Sequence, residues 1–247
     1  MLARELAEEA GRRLLELRAG GAPAGQQSAD ELRKDGDRLS HEFLVAALAA
    51  RRPGDMVLSE EAADNRERLL ADRVWIVDPL DGTNEFGDVG RTDWAVHVAL
   101  WERGPGLTAG AVALPAQRKV LSTAEPTAGP SSAVGAGPVR VVVSRSRAPQ
   151  FVMSMGVEVV PLGSAGAKVA AVVLGEADAY IHAGGFYEWD TAAPVAVARA
   201  AGFHASRIDG SELLYNQADL LMPDILVCRP ALAGMLTEAI REVTNAS

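Results

Sequence analysis

Residues 75–86 read WIVDPLDGTNEF, and the apolar first part predicts a buried strand that runs into a turn. Pro79 cannot donate a ladder hydrogen bond, so we expect strand pairing to stop there. Asp78 and Asp81 lie on either side of it, and two carboxylates at the end of an apolar strand are costly unless a cation lies between them. The stretch therefore indicates a site for a hard cation such as Mg²⁺. A capped turn, in which Asp, Gly and Thr are common, is an equally good interpretation.

The composition is that of an ordinary globular protein, with 247 residues, 48% of them hydrophobic and 23% charged. A net charge of −9 argues against a broad surface for nucleic acid. No segment approaches the roughly 20 apolar residues that span a bilayer, and the N-terminal residues interleave charges with Leu and Ala, unlike a signal peptide. We therefore expect a cytoplasmic protein without membrane insertion. The single cysteine, Cys228, excludes an internal disulfide.

The predicted elements divide the chain into two halves. For residues 1–125 we predict a helix at 2–18, a second helix that begins after Asp37, and then a mostly antiparallel sheet. Residues 138–247 alternate strands and helices, including a helix at 147–155, which indicates a layered α/β arrangement. The Gly-, Pro- and Ser-rich residues 125–138 are typical of a linker or a loop.

Three further acidic positions accompany the aspartates of the opening stretch. Glu60 and Glu61 follow a short predicted strand, Asp190 heads a predicted helix in EWDTAAP, and Asp37 precedes the second helix. Taken singly, each has an ordinary explanation, because adjacent glutamates are usually solvated and Asp is a preferred helix N-cap. Their combination, in this order along the chain, favours a shared cation site.

The combination of SEE, DPLDGT and WDTAA, with an Asp ahead of the second helix, resembles the inositol monophosphatase superfamily of Mg²⁺-dependent, lithium-sensitive phosphatases. The resemblance covers essentially the whole chain. It implies a layered α-β-α-β-α sandwich (α/β, α+β), a phosphoric monoester hydrolase, two to three Mg²⁺ ions per site and a homodimer.

Position by position, the resemblance implies a set of metal ligands, namely Glu60, Asp78, the carbonyl of Leu80, Asp81 and Asp190. Asp78 would bridge two ions, and Glu60 would also reach a third. Asp37 and Thr83 would orient and activate the attacking water, with Glu61 in support. Gly82 and Thr83 would offer backbone N–H groups to the phosphate. The chemistry is coherent, because divalent ions neutralise a phosphate monoester and lower the pKa of bound water.

Two later segments bear on the substrate. RVVVSRSRAP, with Ser144, Arg145 and Ser146, is similar to a VVSRSH-like segment of the bisphosphate nucleotidase branch, although Arg147 stands where a His is often found. Arg and Ser at a strand end suit a second phosphate. A basic surface loop is the competing interpretation.

A second resemblance to that branch lies in LGSAGAKVAAVV. There Gly163 and Ser164 open a predicted helix, and Lys168 lies one turn in, where it can reach an anion. Alternatively, Lys168 faces solvent. Glu188 and its neighbour Tyr187 would border the base or sugar, or serve packing only. The four histidines, His41, His97, His182 and His204, share no ligand spacing, so we expect them to be structural or exposed.

The resemblance therefore predicts hydrolysis of the 3′-phosphate of 3′-phosphoadenosine 5′-phosphate, and of its 5′-phosphosulfate analogue, in sulfur assimilation. Inositol 1-phosphate and fructose 1,6-bisphosphate are the alternative substrates. A silent metal- or nucleotide-binding regulator is the alternative class of protein. The full set of acidic positions argues against that last alternative.

Overall fold

The structure is a computed structural model and describes residues 1–20, 28–129 and 137–245. The predicted linker at 125–138 lies partly outside this range, so the boundary between the two halves stays a prediction. In the part of the chain that is described, no helix is long and apolar enough to cross a membrane.

The first sheet contains five strands in sequence order: β1 (Met56–Ser59), β2 (Arg73–Asp81), β3 (Ala95–Glu102), β4 (Gly106–Leu114) and β5 (Lys119–Ser122). Only the β1–β2 pair is parallel, and the other three pairs are antiparallel. The prediction of a mostly antiparallel sheet in the first half is confirmed.

Two long helices, α1 (Leu2–Gly20) and α2 (Ala29–Arg51), cover one face of this sheet. The prediction that α2 begins after Asp37 was wrong, because the helix starts eight residues earlier and Asp37 lies in its interior. Ser28 is the N-cap, and its side chain and that of Glu31 cap each other's backbone N–H groups. This capping box satisfies the first free donors and so begins the helix before the apolar pattern appears.

The second sheet has the order β7-β6-β8-β10-β9, with β6 (Arg140–Ser144), β7 (Glu158–Leu162), β8 (Ala179–Tyr187), β9 (His204–Ser206) and β10 (Leu221–Cys228). The three-residue β9 is too short to show an alternating pattern and was not predicted. The helix expected at 147–155 is a single 3₁₀ turn at Gln150–Ser154. Pro149 is its N-cap, and proline disfavours a helical conformation of the residue before it, while Gly156 follows the turn with a positive φ of 68°.

The remaining helices are α3 (Thr83–Gly87), α4 (Ala165–Val173), α5 (Glu188–Ala200) and α6 (Pro230–Asn245). The apolar side chains of α4 and α5 form one core between the two sheets, whereas α6 packs on the outer face of the second sheet. Together with α1 and α2 this makes five layers, and the predicted α-β-α-β-α sandwich is confirmed. Gly110 of β4 lets α5 approach closely, since a Cβ there would lie 2.7 Å from the Cβ of Ala196.

A bulge in β2 positions the two aspartates of the opening stretch. Asp78 pairs with His97 and Asp81 pairs with Ala95, so residues 79 and 80 face a single residue of β3. The prediction that pairing stops at Pro79 was wrong, because the proline lies in the bulge and pairing resumes behind it. Side chains three apart on a regular strand point to opposite faces. The extra residue of the bulge instead brings both carboxylates to one side.

Candidate active site

A cavity of about 600 Å³ lies where the end of β2 and α3 meet the N-termini of α4 and α5. Most of the predicted site residues line it, namely Glu60, Asp81, Gly82, Thr83, Ser144, Arg145, Ser146, Gly163, Ser164, Lys168 and Asp190. Four other predicted site residues are not part of the lining, namely Asp37, Glu61, Asp78 and Leu80. Residues up to 130 positions apart in sequence therefore converge on one cavity (60 to 190).

Asp78 and Asp81 form a buried acidic group at its base. Side-chain ligand atoms of Asp78, Asp81 and His97 all lie within 4.8 Å of one another, and all three residues are buried. The Oδ1 of Asp78 accepts the backbone N–H of Leu80 at 3.0 Å, which fixes the bulge. Burial, followed by the charges of Glu60 and Asp81, raises the pKa of Asp78 well above its usual range.

Asp81 is held differently from Asp78. Its Oδ2 accepts the N–H of Gly166 at 2.7 Å and lies 3.1 Å from Nε2 of His97. Although burial opposes ionisation, His97, Lys168 and the Gly166 N–H keep the pKa of Asp81 below its usual value. A lowered pKa favours the ionised form of Asp81, which is the form that binds a cation.

Glu60 and Asp190 enter from opposite sides. Asp190 lies in the first turn of α5, where its Oδ2 accepts the N–H of Tyr187 at 2.6 Å. Burial and the charge of Asp81 raise the pKa of Asp190 to about 6. Glu60 is exposed to the cavity, yet the surrounding protein reduces its hydration, and with the charge of Asp190 this raises its pKa to about 7. Both carboxylates repel their neighbours when no cation is present.

These oxygens fit a hard divalent cation. Four carboxylates and the Leu80 carbonyl supply oxygen donors, and burial, followed by mutual repulsion, raises the pKa values of Asp78, Glu60 and Asp190, so a bound cation would favour their ionised forms. Oxygen ligands of this kind suit Mg²⁺ or Mn²⁺ rather than a metal that prefers sulfur.

Asp37 and Thr83 meet at the edge of this group. The hydroxyl of Thr83 lies 3.1 Å from the Leu80 carbonyl and 3.4 Å from Oδ1 of Asp37. Partial burial and the charge of Glu61 raise the pKa of Asp37 to about 6. A carboxylate with that pKa can accept a proton near neutral pH, as a general base must.

The same cavity lining also contains cationic side chains. Lys168 is only 4% exposed, so the interpretation that it faces solvent was wrong; its Nζ donates to the Gly163 carbonyl and lies 5.4 Å from the ring centroid of Tyr180. His182 is 3% exposed, and neither ring nitrogen has a hydrogen-bond partner of standard geometry among the described residues. Both side chains line the cavity, as does Arg147.

Sequence analysis assigned no role to His182, and gave Arg147 only as a departure from the family pattern. Burial, followed by the charges of Lys168 and Arg147, lowers the pKa of His182 to about 4. The two cations are therefore close enough to act on the same ring. The sequence around His182 does not predict these neighbours, because Lys168 lies on α4 and Arg147 lies in the segment after β6.

The segment Ser144–Ser146 has fewer free hydrogen-bond donors for a phosphate than its residue types suggest. Nη2 of Arg145 donates to Oε1 of the buried Glu85 at 2.7 Å, so its guanidinium is already paired. Ser144 accepts the backbone N–H of Arg147 at 3.3 Å and lies 3.5 Å from the hydroxyl of Ser146. These contacts shape the turn that presents Arg147.

Glu188 is not brought to the cavity lining. It is 1% exposed, and its carboxylate accepts the N–H groups of Asn216 and Gln217 at 2.6 and 2.7 Å. Burial raises its pKa to about 7. In this structure Glu188 anchors the segment 213–217 against the start of α5.

Comparisons with known proteins show which family this chain belongs to. Residues 2–245 match the model of the inositol monophosphatase family. A Mycobacterium leprae protein named 3′-phosphoadenosine 5′-phosphate phosphatase is 49% identical over 255 residues, covering 98% of this chain and 93% of the relative. The Escherichia coli K12 protein named 3′(2′),5′-bisphosphate nucleotidase CysQ is 34% identical over 194 residues, covering 73% of this chain and 78% of the relative.

Solved structures show the same fold. The crystal structure of CysQ from Bacteroides thetaiotaomicron has a TM-score of 0.76 at 28% identity and covers 92% of this chain and 95% of its own. Inositol monophosphatase II from Staphylococcus aureus has a TM-score of 0.80 at 20% identity and covers 95% of this chain and 92% of its own. From these matches and the five-layer sandwich, the chain belongs to the inositol monophosphatase family.

Proposed function

We propose that the protein is a Mg²⁺-dependent phosphatase that hydrolyses the 3′-phosphate of 3′-phosphoadenosine 5′-phosphate, giving AMP and inorganic phosphate. The observation that carries the proposal is that one cavity is lined both by the carboxylates Glu60, Asp81 and Asp190, the acidic wall, and by the cations Lys168 and Arg147, the cationic wall. A substrate with two phosphates matches both walls, one through metal ions and one directly. The names of the M. leprae and E. coli relatives support the same substrate class.

The acidic wall would hold two to three Mg²⁺ ions through Glu60, Asp78, Leu80 O, Asp81 and Asp190. Bound there, the ions would supply neutralisation of the scissile phosphate and a lowered pKa for water. Lithium inhibition follows from the same assignment, because Li⁺ can replace Mg²⁺ without supplying its charge.

The chain's own residues account for the rest of the reaction. Thr83 and Asp37 orient the attacking water, and Asp37 accepts its proton, with Glu61 beside it. The oxygen of water bonds to phosphorus, the bond from phosphorus to the 3′ oxygen breaks, that oxygen takes up a proton from solvent, and Asp37 returns its proton to solvent. Gly82 and Thr83 line the cavity, and their backbone N–H groups would bind the phosphate there.

The cationic wall would receive the 5′-phosphate. Lys168 and Arg147 are charged donors, and charge-assisted bonds to phosphate are about twice as strong as neutral ones. His182 adds a ring whose nitrogens have no hydrogen-bond partner of standard geometry among the described residues, although its pKa responds to the backbone of Gly185. Ser144, Ser146, Gly163 and Ser164 complete this wall. The same wall would accept the 5′-phosphosulfate analogue, which is also anionic at that end.

The test is phosphate release with Mg²⁺ from four substrates side by side: 3′-phosphoadenosine 5′-phosphate, its 5′-phosphosulfate, inositol 1-phosphate and fructose 1,6-bisphosphate. We expect kcat/KM for the nucleotides to exceed that for inositol 1-phosphate by about tenfold or more, since one charged hydrogen bond contributes about 1.5–3 kcal/mol. Protein with Asp81→Asn, purified identically, controls for contaminating phosphatases. A preference for inositol 1-phosphate would overturn the nucleotide assignment.

The homodimer implied by the family resemblance and the cytoplasmic location expected from the N-terminal sequence belong to the same proposal. Size-exclusion chromatography with light scattering, at several protein concentrations, tests the first of these.

A further inference from the structure

His97 lies directly beneath the acidic wall, although its sequence position suggested an ordinary core histidine. It is on β3, opposite Asp78 in the strand register, and its side chain is fully buried. The imidazole occupies the point where the bulge of β2 meets the first turns of α4 and α5. Three separate elements therefore contact one ring.

The two ring nitrogens face oxygens that belong to different elements. Nδ1 lies 3.2 Å from the backbone carbonyl oxygen of Trp189, the residue before Asp190. Nε2 lies 3.1 Å from Oδ2 of Asp81, a close contact that does not meet hydrogen-bond geometry. The ring is rigid, so it spans a fixed distance between the Asp81 carboxylate and the backbone that carries Asp190.

Gly166 makes room for this arrangement. A Cβ at Gly166 would overlap Nε2 of His97 and would lie 2.9 Å from the Cβ of Ala95. The same glycine donates its N–H to Oδ2 of Asp81 at 2.7 Å. The same oxygen of Asp81, Oδ2, therefore contacts both the α4 backbone and the imidazole.

A rigid side chain at this position would oppose movement of the Asp81 and Asp190 carboxylates away from each other. Asp81 and Asp190 repel each other, and the charge of Asp81 contributes to the raised pKa of Asp190. Without a fixed spacer the two carboxylates can relax apart, and a cation that needs both would bind less tightly. Groups that orient metal ligands in this way typically change metal affinity by about 10- to 100-fold when removed.

We propose that His97 is a positioning residue, which sets the separation of the Asp81 and Asp190 carboxylates and thereby the affinity for the metal ion they share. The proposal rests on the metal assignment within the proposed function, but not on the identity of the substrate. It assigns His97 no contact with substrate.

Three substitutions separate positioning from simple space filling. His97→Gln places an amide nitrogen near the position of Nε2 and keeps the contact with Asp81. His97→Asn places one near Nδ1 and keeps the contact with Trp189. His97→Leu fills the volume and keeps neither. His204→Leu is the matched control, because His204 bonds to Ser206 on β9, outside the cavity lining.

The readout is Mn²⁺ binding to the substrate-free protein, measured by electron paramagnetic resonance of free Mn²⁺, with circular dichroism to verify folding. We expect His97→Leu to weaken one Mn²⁺ site by about tenfold or more, and His97→Gln to weaken it less than His97→Asn. We expect His204→Leu to bind as the wild type does. Under saturating substrate, His97→Leu should raise the Mg²⁺ concentration for half-maximal rate while KM changes little.

Wild-type Mn²⁺ affinity in folded His97→Leu would overturn the proposal. If that variant does not fold, the comparison of His97→Gln with His97→Asn decides, and equal affinities or the reverse order would overturn it. A wild-type protein that binds Mn²⁺ but releases no phosphate from the nucleotide would contradict the proposed substrate and leave the role of His97 standing.

Discussion

The backbone N–H of Gly166 donates a 2.7 Å hydrogen bond to the carboxylate of Asp81, joining the first turn of α4 to the bulge of β2. The N-terminus of a helix favours negative charge, so this contact helps to keep Asp81 ionised. The same hydrogen bond links α4, which lies between the two sheets, to the carboxylates of the acidic wall. The geometry of that wall therefore depends on how closely α4 approaches β3.

Gly166→Ala should destabilise the fold and weaken metal binding together. The new Cβ has no space against His97 and Ala95, and overpacking of this kind costs about 1–3 kcal/mol. Urea unfolding gives the free energy, and Mn²⁺ titration gives the affinity. Gly54→Ala is the control, because a Cβ there meets no atom within 4 Å, and we expect it to change neither quantity. An unchanged metal affinity in Gly166→Ala would contradict the coupling.

Asp190→Asn should move stability and activity in opposite directions. The amide removes a charge that the metal-free protein disfavours, as the pKa of about 6 indicates, so we expect the metal-free protein to gain about 1–2 kcal/mol at pH 7.5. Turnover should fall at least about 100-fold, since a metal ligand matters more than the groups that orient it.

Denaturant unfolding without Mg²⁺ and phosphate release with it are the two measurements for Asp190. Asp72→Asn, at an exposed carboxylate in a surface ion pair with Arg103, should alter neither. Wild-type turnover in Asp190→Asn would remove Asp190 from the metal site.

Stabilisation by Mg²⁺ should increase with pH. In the metal-free protein the pKa values of Asp37 and Asp190 rise from 3.8 to about 6, and that of Glu60 rises from 4.5 to about 7. A carboxyl with a raised folded-state pKa stabilises the fold below its unfolded pKa and loses that contribution as pH rises through the folded value. The metal-free protein thus loses this contribution between about pH 4 and 7.

Mg²⁺ reverses this loss because it binds the ionised carboxylates. The lowered pKa of His182 acts in the opposite sense between its folded value of about 4 and its unfolded value of 6.5, so the comparison must be made with and without Mg²⁺ at each pH. We expect the difference in unfolding free energy to be small at pH 5 and to rise up to pH 7.5. A difference independent of pH would contradict the assignment of these carboxyls to the metal.

The neighbouring arginines Arg145 and Arg147 should have separate effects. Arg145→Ala leaves the buried Glu85 unpaired, so we expect a loss of about 1–3 kcal/mol of stability. Arg147→Ala removes a cation from the wall beside Lys168, so we expect KM for 3′-phosphoadenosine 5′-phosphate to rise about tenfold with stability unchanged.

Steady-state kinetics and urea unfolding of both arginine variants test this, with Arg241→Ala on the exposed surface of α6 as the control. The KM for inositol 1-phosphate should not respond to Arg147→Ala. If Arg145→Ala raises KM for the nucleotide as much as Arg147→Ala does, the proposed division between these residues is wrong.

The sequence predicted most of the fold because its elements are marked locally. The apolar runs of β2 and β8 and the capped, periodic helices carry their own signals, and the resemblance placed them in layers. The start of α2 was missed because the capping box at Ser28 lies within a polar segment, ahead of the apolar pattern.

The residues that sequence analysis missed depend on contacts between elements. The bulge at Pro79 exists only because β3 continues alongside it, and no local pattern predicts the partner strand's register. His97 and His182 are single residues in apolar strands, and what they do is decided by α4, α5 and β6 packing beside them. The buried state of Lys168 likewise follows from the second sheet covering α4.

The most direct test of the proposed reaction is hydrolysis of 3′-phosphoadenosine 5′-phosphate in ¹⁸O-labelled water with Mg²⁺, followed by ³¹P nuclear magnetic resonance. Direct attack by water at the 3′-phosphorus predicts AMP that retains its unlabelled 5′-phosphate, together with inorganic phosphate that carries one ¹⁸O atom from solvent. Adenosine 3′-phosphate as the product, or no turnover of the nucleotide alongside rapid turnover of inositol 1-phosphate, would contradict it.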